Sequence, residues 1–303
     1  LSNSGSVVAD NKDDKTQAAQ ISIKSQTVNN SGTLSANDTQ TIKSASLNNS
    51  GLIHTADELV LQQQGLLLNS GNIKAARLDL TVNQLHNEQG HITQTGSQGL
   101  NVQAKHISNS DGSVLGNRPQ ESGSTGGTGS GGQNPGTGTG STGGTGTITT
   151  PPSTSTGGGD VAVDTVTPSK TFATGSIKVA EDLLSSGGSV TANGDVNIVA
   201  EQGFSNTNKA NVQAKSLTVN KGDFSNASGK AILENLNAKV SNFDNSRGEL
   251  TVLSTATHIQ AAQDFSNQAG KLSTTGTLKV TAGSINNQAG SIEVANAVSL
   301  SSQ

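Results

Sequence analysis

Residues 243–292 read FDNSRGELTVLSTATHIQAAQDFSNQAGKLSTTGTLKVTAGSINNQAGSI. One phrase stands in it three times: FDNSRGEL from Phe243, FSNQAGKL from Phe265 and INNQAGSI from Ile285. Between phrases the apolar residues alternate. Gly248 leads to Leu250 and Val252, then to Ile259 and Ala261, then to Phe265, and Gly270 leads to Leu272, Leu278, Val280 and Ile285. A period of two belongs to strands with one face turned inward, and the Asn, Gly, Ser and Thr between them are turn formers.

The phrase extends outward in both directions, as FSNASGKA from Phe224, ISNSDGSV from Ile107, LHNEQGHI from Leu85 and LNNSGLI from Leu47. Counted on the glycine, one half of the chain gives Gly5, Gly32, Gly51, Gly71, Gly90 and Gly112. The other gives Gly188, Ala210 in glycine's place, Gly229, Gly248, Gly270 and Gly290. A unit of about twenty residues has one apolar face and no second layer, so its neighbours must cover it. The pattern predicts an all-β, right-handed parallel β-helix (solenoid) in which each unit makes one turn and equivalent side chains stack. Three structural ladders follow. Phe204, Phe224, Phe243 and Phe265, continued by Ile285, form an apolar column. Asn206, Asn226, Asn245, Asn267 and Asn287 form an amide column. Gly229, Gly248, Gly270 and Gly290 mark a turn that needs either a positive φ or close backbone approach. In the first half the apolar column is aliphatic, running Val28, Leu47, Leu67 or Leu68, Leu85 and Ile107.

Of 303 residues, 37 are Gly and none is Cys, Met, Trp or Tyr; 30% are apolar and 13% charged. This is poor material for a thick core inside a charged shell. Without Cys there are no disulfides, thiolate zinc sites or cysteine nucleophiles. A net charge of −4 with no basic block, and only five aromatic residues, argue against nucleic acid. No run reaches the roughly 18 apolar residues of a membrane helix, and the N-terminal LSNSGSVV has no signal-peptide pattern. The opening at Leu1, within a repeat, suggests a piece of a longer polypeptide.

Composition breaks in the middle. Residues 121–160 hold 15 of the glycines and 17 Ser or Thr, with Ile148 the only apolar side chain, and all five prolines lie in or beside the stretch. This predicts a β-helix arm of about six coils over 1–116, a flexible linker or extruded loop over 117–170, and a second six-coil arm over 171–303. The Gly138, Gly140 and Gly143 spacing there lacks the flanking strand and helix of a dinucleotide loop.

The Asn-x-x-Gly-x-apolar phrase at twenty-residue spacing resembles the haemagglutinin-type repeats of filamentous haemagglutinin and related large exoproteins of two-partner secretion systems. The resemblance covers most of 1–116 and 177–300. It implies a β-helical fibre exported through an outer-membrane transporter, folded at the bacterial surface and acting in adhesion. Its receptor would lie on a host cell, a bacterial cell or a matrix polysaccharide. Contact-dependent growth-inhibition effectors share the repeat, so a stalk for a toxin is the alternative. The chain shows no Asn-Pro-Asn secretion motif and no toxin domain.

Other chemistry is thinly supported. His86 and His91 flank Glu88, but turn residues around Gly90 explain them. Asp10, Asp13 and Asp14 stand beside Lys12 and Lys15 and read as a solvated loop. No carboxylates cluster as a polysaccharide-cleaving solenoid enzyme requires, so no catalytic residue, metal or cofactor is assigned. Lys221-Gly222-Asp223 and Arg247-Gly248-Glu249 look like integrin-binding tripeptides, yet both fall on repeat positions. Asn29, Asn37, Asn48 and Asn226 begin glycosylation sequons, of which Asn226 is expected to be inaccessible.

Overall fold

The alternating stretches become strands that pair only with their counterparts one unit away. A computed structural model describes residues 1–11, 18–117, 173–191 and 196–303. In it the chain is all-β, with 26 strands in one sheet and no helix among the described residues. Strands pair in parallel, as Lys230–Val240 does with Asn211–Val219, and Ala256–Ser266 with Thr277–Asn286. The result is a β-solenoid of about 11 turns, each about 20 residues long, with successive turns one strand spacing, about 4.8 Å, apart.

Stacked apolar columns fill the interior, among them the following three. The first runs Val28, Leu47, Leu67, Leu85, Ile107, Leu183, Phe204, Phe224, Phe243 and Phe265. Here the register selects Leu67 rather than Leu68. The second runs Leu34, Ile53, Ile73, Ile92, Leu115, Val190, Val212, Ala231, Leu250 and Leu272. The third includes Ile42, Leu61, Leu80, Val102, Ile177, Ile198, Leu217 and Leu236. All these side chains are buried. β-branched and leucyl side chains suit a pleated surface on which every neighbour above and below is its own kind.

The two halves meet by direct strand pairing. Asn101–Ala104 pairs with Gly175–Val179, His106–Ser110 with Asp182–Ser186, and Val114–Asn117 with Ser189–Thr191. Leu1–Pro119 and Thr171–Gln303 accordingly belong to one compact unit. The expected linker lies almost wholly outside the described residues, as do Lys12, Asp13, Asp14 and Lys15 of the charged insertion.

Candidate functional site: the stacked ladders and the outer face

The four phenylalanine rings lie one above another. Phe224 and Phe243 stack almost parallel, with centroids 4.3 Å apart and planes 2° apart. Phe204–Phe224 and Phe243–Phe265 each have centroids at 5.2 Å. The parallel strands favour this geometry, since in-register Cβ atoms bring like rings together one strand spacing apart. Ile285 continues the column, partly buried against the core.

Two residues after each ring stands a ladder asparagine, and Asn206, Asn226, Asn245 and Asn267 are fully buried. Each Nδ2 donates to the Oδ1 of the next rung: Asn206 to Asn226, Asn226 to Asn245, Asn245 to Asn267 and Asn267 to Asn287, all at 2.7 Å. Each also donates to a backbone carbonyl of the next turn, as Asn245 does to Lys271 O at 3.0 Å. Asn287 itself is exposed. The same ladder runs through the first half, where the sequence reading missed it: Asn3, Asn30, Asn49, Asn69, Asn87 and Asn109 are bonded rung to rung at 2.7–2.8 Å. The signal was present, because each of these lies two residues after its apolar-column position, as in Phe-x-Asn. At Asn3, Asn30, Asn49 and Asn69 an Asn-Ser-Gly turn, one residue shorter than the Asn-x-x-Gly of Asn87 and Asn109, had hidden it.

The ladder glycines are required by close approach. A β-carbon on Gly229, Gly248, Gly270 or Gly290 would fall 2.0–2.1 Å from a ladder asparagine's carbonyl oxygen. The positive φ falls one residue earlier, on Ser228, Arg247, Ala269 and Ala289. Gly112 is a correction. Val114 pairs with His91, so Ser113 stands opposite Gly90 in the glycine column, and Gly112, at φ +80°, occupies a turn one residue longer.

Among the described residues no three His, Asp or Glu side chains gather as metal ligands, those of His86, Glu88 and His91 included. The two tripeptides are built into turns. Gly222 is left-handed, and Asp223 Oδ1 accepts from the backbone N and Nδ2 of Asn242 at 3.1 and 2.9 Å. Arg247 supplies the left-handed residue before Gly248. Asn226 is buried in the ladder, whereas Asn29, Asn37 and Asn48 are exposed.

Outside, two open grooves follow the corner at which strand register shifts, at Ser44/Leu47, Gln63/Leu66 and Ala261/Asp264. One, of about 690 Å³, is lined by Lys24, Lys43, Gln62, Gln64 and Thr81. The other, of about 610 Å³, is lined by Asn220, Lys239, Gln260 and Thr281. Opposite charges face each other on neighbouring turns at Glu58–Arg77 (3.3 Å), Lys230–Glu249 (3.2 Å) and Lys271–Glu293 (3.0 Å). Exposed pairs of this kind contribute little to stability. The hydrogen bond from Lys271 chiefly holds the Glu293 carboxyl below its ordinary value. Burial, with a smaller effect of Lys74, lowers His54. In comparisons with known proteins, no family model, curated protein or solved structure matches this chain.

Proposed function

We propose that this chain is a section of the structural shaft of a secreted filamentous exoprotein of the filamentous haemagglutinin type. It is displayed on the bacterial outer surface after export through a two-partner-secretion transporter. Its work is mechanical and non-enzymatic: it holds a distal binding or effector domain away from the cell and contributes to adhesion. The observation that carries this reading is the rung-to-rung asparagine ladder running beside stacked apolar columns. Backbone, amide and apolar contacts all bind one turn to the next along one direction, which is what a load-bearing spacer needs. The chain's outer face, rich in Lys, Gln, Asn and Ser, is the surface offered to a receptor.

The test is a coil swap in the full-length protein. Replacing 196–291 by the same number of turns from an unrelated parallel β-helix leaves adhesion and surface display unchanged if the segment is a spacer, while deleting those turns weakens adhesion. Loss of adhesion after the length-preserving swap would sink the spacer reading in favour of a specific receptor site, and turnover of a polysaccharide by the purified chain would replace it with an enzyme.

A further inference from the structure

Among the described residues the asparagine ladder is interrupted at one rung. Asn109 pairs with Ser185, and Ser185 with Asn206, so a serine occupies an asparagine position. Its hydroxyl sits one bond nearer the backbone than a carboxamide's donor and acceptor, and the rung-to-rung contact fails. Ser185 Oγ and Asn206 Oδ1 both lack a hydrogen-bond partner among the described residues, although Ser185 is 1% and Asn206 0% exposed. Ser113 Oγ, also buried, is a third such atom. It and Asn109 Nδ2 lie at Gly188, 2.9 and 2.6 Å from where a β-carbon on that glycine would sit. Each unsatisfied buried group costs about 1–3 kcal/mol, and folded interiors ordinarily meet such a need with water.

We propose that this rung is an internal hydration site, in which one water molecule between Asn109, Ser185 and Asn206 takes the place of the missing carboxamide. The groups present select water. Asn206 Nδ2 is committed upward to Asn226 Oδ1 and Lys230 O, which fixes the amide orientation and leaves Oδ1 facing Ser185 in need of a donor. Asn109 Nδ2 gives one N–H to Ser189 O at 3.0 Å, as Asn87 does to Val114 O and Asn206 to Lys230 O of their next turns, and its other N–H needs an acceptor. Water is donor to the first and acceptor from the second. A cation is disfavoured by the Asn109 N–H and an anion by Asn206 Oδ1. The room also fits: serine has two heavy atoms fewer than asparagine, and a water's share of liquid volume is about 30 Å³. The bridge joins the ladder of the first half to that of the second across the insertion.

The experiment is a crystal structure of the chain and of S185N at a resolution that shows waters, with magnetic relaxation dispersion counting long-lived internal waters in solution. The expected result is a water within hydrogen-bond distance of Ser185 Oγ and Asn206 Oδ1 in the parent. S185N loses that water, and the introduced carboxamide bonds to Asn109 and Asn206. A dry rung in the parent, or a water retained beside the new carboxamide, overturns the proposal. S185A keeps Asn206 Oδ1 and enlarges the space, so it must still hold the water even where S185N fails to fold.

Discussion

The carbonyl oxygen of Asn226 lies so close beneath Gly248 that a β-carbon on the glycine would fall 2.0 Å from it. Adjacent turns of the solenoid therefore nest backbone on backbone at this corner, and turns of this length hold a glycine there; Ser113 and Ala210 occupy the column only where the turn is one residue longer. Gly248→Ala is expected to destabilise the fold by about 1–3 kcal/mol, the range of an overpacked core, read as a lower melting midpoint. One turn on, the neighbouring position obeys the opposite rule. Ala269 is held at φ +51°, a conformation costing an L-residue roughly 1–2 kcal/mol, so Ala269→Gly is expected to stabilise by about 0.5–1 kcal/mol after the entropy it adds to the unfolded chain. A stabilising Gly248→Ala would show that the turns are not nested.

The architecture was legible because a solenoid writes its tertiary contacts into sequence periodicity: Phe224, Phe243 and Phe265 are neighbours in space for the same reason that they recur in the chain. Where the repeat changes length, that link weakens. The Leu66-Leu67-Leu68 run hides its register, which the bulge between Gln63 and Leu66 fixes only in three dimensions. Gly112 looked like the ladder glycine, but the left-handed Asp111-Gly112 pair extends the turn and passes the position to Ser113. The missing rung at Ser185 was likewise invisible, since a serine in an Asn- and Ser-rich chain carries no signal until its neighbours are known.

Phe243 sits between two rings, 4.3 Å from Phe224 and 5.2 Å from Phe265. Phe243→Ala removes both contacts and opens a cavity whose walls, held by strand ladders above and below, have little freedom to collapse. The expected cost is about 3–5 kcal/mol, measured by chemical denaturation. An unchanged midpoint would defeat the assignment of this column to the core.

The same chemical change is expected to have opposite signs at two buried amides. Asn245 accepts from Asn226 and donates to Asn267 and to Lys271 O, so Asn245→Leu strands those partners and destabilises by several kcal/mol, at about 1–3 kcal/mol for each buried group left unpaired. Gln40 is fully buried, yet neither its Oε1 nor its Nε2 has a partner among the described residues. It stands in register between Ile21 and Leu59, in a column that continues through Leu78. Gln40→Leu extends that column and removes the unsatisfied amide, for an expected gain of about 1–3 kcal/mol. Denaturation of the two variants side by side decides the matter, and a destabilised Gln40→Leu would mean that Gln40 has a bonding role of its own.

His54 stands in register between Ser35 and Lys74, its Nδ1 3.4 Å from Ser35 Oγ. Desolvation first, and the Lys74 charge second, hold its folded-state pKa below the ordinary 6.5. The unfolded chain, with its ordinary histidine, therefore binds the proton first as the pH falls. The stability associated with this group is complete above pH 6.5 and declines between 6.5 and the lowered folded value. His54→Gln is expected to flatten that part of the stability–pH curve. Lys74→Gln should raise the His54 pKa only partly toward 6.5, because the larger cause, burial, remains. An NMR titration of the His54 ring protons in both backgrounds measures this directly, and full recovery of 6.5 in Lys74→Gln would show that charge rather than burial sets the shift.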